Sequence, residues 1–132
     1  MITLELARRV GARLAAAGHP WQPGSGDRFI VPDRGLDQVF VVAEMTIEVA
    51  EYPTGTLIRF NGTTEWALDT VEAREVVWLP WEHQLRAALG DRFERLERVP
   101  GPAEGFVVVT TDGERHADVD VEGAYARALL GG

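Results

Sequence analysis

The 132-residue chain contains no cysteine and no lysine, and Ser25 is its one serine. Without a thiol there is no disulfide, no Cys-ligated zinc and no thiolate nucleophile. Without lysine there is no Schiff-base catalysis and no phosphate-binding loop ending in Gly-Lys-Ser/Thr. Ser25 sits in Gly-Ser-Gly between Pro23 and Asp27, outside the strand-turn-helix setting of a nucleophile elbow, which argues against a serine hydrolase. Long apolar runs are also absent. None approaches the roughly 18 residues a membrane helix needs. The first ten residues carry Glu5, Arg8 and Arg9 within their apolar pattern, unlike a secretory signal. These features point to a cytoplasmic chain with no membrane partner.

The charge is lopsided: 21 acidic residues face 13 basic ones, all arginine, for a formal net charge of −8. Such a chain gains nothing from a phosphate backbone through counterion release, so nucleic acid is not an expected partner. Arg8, Arg9 and Arg13, set against Glu5, read as the solvated face of a first helix. The all-arginine basic content, with abundant Ala, Gly and Val, suggests a high-GC genome. With 45% hydrophobic and 26% charged residues, the chain should be globular, and its length suits a single domain spanning residues 1–132.

The organising stretch is 76–89, where an extended apolar run meets Pro80 and becomes an amphipathic helix. Proline suits the first helical turn, because its φ is fixed and it lacks an amide hydrogen to leave unpaired. From there Trp81, Leu85, Ala88 and Leu89 share one face while Glu82, His83 and Arg86 face away. Gly90 ends the helix. A first helix over 3–17 is capped by Thr3, repeats Leu6, Val10 and Leu14, stops at Gly18 and should pack on a sheet. Trp21 is expected to tuck back onto it. A last helix follows Asp120 as cap, with Val121, Ala124, Tyr125, Ala128 and Leu129 as its apolar stripe.

Between the helices, strands are expected at 28–31, 38–43, 45–52 and 56–60, the almost wholly apolar 38–43 segment being central. The segments 106–111 and 115–119 flank Asp112-Gly113, the signature of a type I′ hairpin. The 64–73 segment fits a short helix, with a strand presenting Trp66 and Leu68 as the alternative. Residues 91–99 show no clean period and are expected to be an irregular or partly extended connection. The resulting fold class is α+β: an antiparallel sheet of about five or six strands with N-terminal, central and C-terminal helices packed on one face.

Candidate chemistry is sparse. His19, His83 and His116 stand at no ligand spacing, so no metal site is expected. Asp118 and Asp120 alternate at a strand end and could hold a cation, but an N-cap at Asp120 beside a solvent-facing Asp118 accounts for both. No catalytic residue and no cofactor emerge, which leans away from an enzyme. Four tryptophans are many for this length, and Trp66, Trp78 and Trp81 fall within sixteen positions. Tryptophan is enriched where one end is buried and the other reaches a partner. The expected contact surface is therefore Trp66, Trp78 and Trp81 with Gln84 and Arg86 of the central helix.

Residues 60–69, Phe-Asn-Gly-Thr-Thr-Glu-Trp-Ala-Leu-Asp, and 78–86, Trp-Leu-Pro-Trp-Glu-His-Gln-Leu-Arg, together with 122–130, Glu-Gly-Ala-Tyr-Ala-Arg-Ala-Leu-Leu, resemble a family of small actinobacterial proteins of unknown function. Its members are often labelled pilus assembly proteins. That label implies an ATPase-like partner of a secretion system, yet this chain has no phosphate-binding loop, and the activity is not carried over. The expected function is a non-catalytic module that binds a protein partner or a second copy of itself. The alternative is a small-molecule-binding protein or enzyme with a pocket between the sheet and the central helix, drawing on Arg59, Asn61, His116 or Asp118.

Overall fold

A computed structural model describes residues 1–32, 36–42, 47–52, 55–60, 70–72, 76–101 and 105–131. The fold is α+β, with two compact units: Trp21–Trp78, and Met1–Pro20 together with Leu79–Gly132. In place of one sheet of five or six strands, the described residues form three separate three-stranded antiparallel sheets. Hydropathy patterns mark individual strands but not their partners, and the nine strands of the described residues exceed the five or six expected.

In the unit Trp21–Trp78, β1 (Arg28–Val31) lies between β2 (Leu36–Val41) and β6 (Val77–Trp78). The apolar run expected to be central is thus an edge of its sheet: Phe40 and Val42 are buried, while Val39 and Val41 are 38% and 46% exposed. Trp21 stacks on Trp78 with ring centroids 6.2 Å apart and planes 6° apart. Asp27 accepts the Trp21 indole N–H at 2.9 Å, and Phe29 continues the aromatic contacts to Phe40 at 5.4 Å. The second sheet pairs β3 (Ile47–Tyr52) with β4 (Gly55–Phe60) and β4 with β5 (Thr70–Glu72). The expected return strand is present. Residues 70–72, expected as the end of a helix, are strand instead, and the rest of that expectation, Trp66 included, lies outside the described residues.

In the other unit, β7 (Phe93–Val99), β8 (Gly105–Thr110) and β9 (Arg115–Asp118) form a meander. The segment expected to be irregular or partly extended is a strand with a bulge: Phe93 pairs with Thr110, but Arg95 already pairs with Val109. The extra residue brings Phe93 and Leu96 to one face opposite Thr110 and Val108, so an odd sequence spacing becomes a common side. The β8–β9 hairpin forms with a different turn. The Thr110 carbonyl accepts from Gly113 N–H at 2.9 Å and Thr110 N–H donates to the Glu114 carbonyl at 3.0 Å. Gly113 has φ +88°, and no described non-glycine residue has positive φ. A type I′ turn needs positive φ at both centres, so this is the three-residue loop of a type I turn plus a glycine bulge. Buried Thr110 donates its hydroxyl to Asp112, whose carboxylate also takes the Glu114 amide.

Three helices complete this unit. In α1 (Leu4–Ala16), Thr3 Oγ1 accepts from Leu6 N–H and Leu6, Ala7 and Val10 are buried. α2 spans Glu82–Leu89 and α3 spans Val121–Gly131. Only α3 packs mainly on the sheet, against β8 and β9; α1 and α2 pack on α3. The expectation of three helices side by side on one sheet face gives way to this stacking. Covered on several sides, α3 buries every residue from Glu122 to Ala126 together with Ala128 and Leu129. Its start is tied down twice, by Asp120 accepting the Gly123 amide at 3.0 Å and by Glu122 accepting the Ile2 amide at 3.1 Å.

Candidate functional site

The start of α2 is built by its backbone needs. Pro80 is buried just before the helix, and Trp81, with φ −76° and ψ 161°, is the N-cap rather than the first member of the helical stripe. An indole has no acceptor with which to cap a helix. The cap is made from the other side, by Gln84 Oε1 accepting the Trp81 amide at 2.9 Å. Leu85 and Leu89 are buried toward the core, and Ala88, expected among them, is exposed. Fixed in this way, the half-buried indole borders a cavity of about 360 Å³ whose other walls are Glu82, His83, Arg86 and Glu122.

The floor beside this cavity is aromatic. The Arg86 guanidinium sits 4.3 Å from the centroid of Phe93, whose ring stacks on Tyr125 at 5.7 Å. Tyr125 is fully buried, and its hydroxyl has no hydrogen-bond partner among the described residues. Burial first, and the Glu82 carboxylate second, push the Tyr125 pKa above its ordinary value of 10.0. Glu82 is thus near enough to be felt electrostatically without meeting the geometry of a hydrogen bond. Glu122 is 7% exposed, an acid held almost wholly inside.

The expected contact residues separate. Trp81 and Arg86 border the cavity; Gln84 is spent on the cap. Trp78 belongs to the other unit, stacked on Trp21, with its buried indole N–H unpartnered among the described residues. Trp66 lies outside the described residues. Glu82, Glu122 and Tyr125 were not singled out from the sequence. Glu82 and Glu122 look there like ordinary first-turn acids, and Tyr125 like one member of an apolar stripe.

The residues of the alternative pocket also part company. His116 lines a different cavity, with residues of α1 and α3. Asp118, expected to face solvent, is 12% exposed and fully engaged: it takes the Asp120 amide at 2.9 Å and Arg127 Nε at 2.7 Å. Desolvation is the largest influence on its carboxyl, yet the Asp120 amide and Arg127 outweigh it and hold the pKa below the ordinary carboxylate value. The side chain of Arg59 and residue Asn61 lie outside the described parts. Among the described residues there is no cluster of three or more His, Asp or Glu able to hold a metal ion, and no helix is long and apolar enough to cross a membrane. Comparison with known protein families, characterised proteins and solved structures finds no match to this chain.

Proposed function

We propose that this chain is a non-catalytic binding module that receives a cationic side chain of a protein partner in the Trp81 cavity. The observation that carries the reading is an indole set beside two carboxylates, Glu82 and Glu122, around one cavity of about 360 Å³. The face of an indole attracts a guanidinium or ammonium, and a carboxylate adds charge-assisted hydrogen bonds. With histidine counted neutral, two acids against Arg86 leave the cavity wall net negative, and Arg86 is already held over Phe93. The net charge of −8 adds long-range attraction for a basic surface. Arginine suits the site better than lysine, since its planar fork can stack on the indole while pairing with a carboxylate.

Calorimetric titration with Nα-acetyl-argininamide, and with its uncharged citrulline counterpart as control, tests the assignment. Saturable binding of the arginine probe alone is expected, weakened about tenfold in Glu82→Gln and in Trp81→Leu. No arginine binding, or binding indifferent to Glu82→Gln, overturns it. Sedimentation velocity of the chain alone distinguishes the occupant: a dimer weakened by Glu82→Gln identifies a second copy of this chain as the partner.

A further inference from the structure

A second cavity, also of about 360 Å³, opens between α1, β9 and the end of α3, and it shares no lining residue with the first. Its polar wall is entirely basic: Arg9 from α1, Arg115 and His116 from β9, and Arg127 from α3. Its apolar wall includes Leu6 and Leu130. We infer that this cavity is a binding site for a small organic oxyanion, a carboxylate or a phosphate monoester, whose apolar body lies along Leu6 and Leu130.

The arginines are not equivalent. Arg127 uses Nε on Asp118 at 2.7 Å, and Arg115 uses one terminal nitrogen on Glu97 at 2.6 Å. Each pairing fixes the side chain while leaving further N–H groups of the fork to donate. Arg9 has no carboxylate within ion-pair distance among the described residues, so all of its N–H groups can turn to a ligand. A guanidinium fork matches an oxyanion in two-point geometry, which a point charge does not.

His116 supplies the second, independent observation. Its side chain is 13% exposed, and among the described residues Nε2 is buried without a hydrogen bond, 3.3 Å from Glu114 Oε2 but outside bonding geometry. A buried ring nitrogen left unsatisfied costs free energy, and a ligand oxygen that bonds it would take the place beside it now held by Glu114 Oε2. Gly131 makes room for that ring: a Cβ there would stand 2.8 Å from His116 Cε1. The last carbonyls of α3 also end nearby and oppose an anion, but helix-end dipoles are screened and short in reach. The N–H groups that Arg115 and Arg127 keep outside their ion pairs, with the guanidinium of Arg9, are set against them. The volume falls within the range of natural small-ligand sites.

The test uses the full chain with phenyl phosphate and phenylacetate as probes, at ionic strength matched with sodium chloride, and the Arg9→Gln variant. Arg9 is exposed and has no described ion pair to lose, so this variant should melt as the parent does. Saturable binding of at least one probe is expected, with affinity about tenfold lower in Arg9→Gln. Preference for phenyl phosphate assigns the site to phosphate monoesters; equal or better binding of phenylacetate assigns it to organic acids. No saturation by either probe, or an affinity unchanged in Arg9→Gln, overturns the inference.

Discussion

Replacing Gly123 by alanine sets helix propensity against packing, and the structure says which wins. A Cβ at Gly123 would stand 2.5 Å from Asp118 Cγ and 2.7 and 2.8 Å from its two carboxylate oxygens. Relaxed contacts need about 3.5 Å or more, so something must move by roughly 1 Å. Asp118 is poorly placed to yield, being held by the Asp120 amide and by Arg127. Alanine gains at most about 1 kcal/mol over glycine in a helix, and less in the first turn. Overpacking costs about 1–3 kcal/mol, and a hydrogen bond to a charged group contributes about 1.5–3 kcal/mol if lost. The net expectation is a loss of about 1–3 kcal/mol. Gly11, in the middle of α1, has nothing within 4 Å of its would-be Cβ, so Gly11→Ala should stabilise by up to about 1 kcal/mol. Urea unfolding followed by tryptophan fluorescence reads both. A third variant isolates the cause: in an Asp118→Ala background the obstacle is gone, and Gly123→Ala should become neutral or stabilising. A Gly123→Ala protein as stable as the parent, with Asp118 in place, would refute the reasoning.

Tyr125→Phe removes a buried hydroxyl with no partner among the described residues, so it should be neutral or stabilise by about 1 kcal/mol; a loss of more than that in urea unfolding would reveal a hydrogen bond to the hydroxyl. The Asp118 pKa lies below its ordinary 3.8 in the folded state, so its stabilising contribution is complete above that value and is lost as pH falls through the folded pKa. Urea midpoints of the parent and Asp118→Asn should therefore converge as the pH falls below the ordinary carboxylate value of 3.8; a constant gap would contradict the assignment.

The sequence announced the elements whose signals are local. Thr3 and Asp120 cap α1 and α3 where side-chain chemistry predicts, and the β3–β4 and β8–β9 pairings follow from apolar runs around turn residues. Strand β7 was hidden because its bulge breaks the alternation that identifies a strand. The hairpin turn was misassigned because Asp-Gly also serves a three-residue loop, where only glycine takes positive φ. Strand β2 was placed centrally because an apolar run does not say how many neighbours it has. Trp81 was counted in a helical stripe because the cap at α2 is supplied by Gln84, three residues later. The two cavities were not legible at all. Arg9, Arg115 and Arg127 come from three elements, and each looks alone like a solvated charge.

The central claim is that the unit formed by residues 1–20 and 79–132 carries two separate binding cavities of opposite preference. The most direct measurement is a two-dimensional ¹H–¹⁵N spectrum of the full chain titrated in turn with Nα-acetyl-argininamide and with phenyl phosphate. The account predicts two disjoint footprints: the first on the Trp81 indole N–H and the amides of Glu82, His83 and Glu122, the second on those of Arg9, His116 and Gly131. Shifts from both probes falling on one shared set of residues, or on neither set, would contradict it.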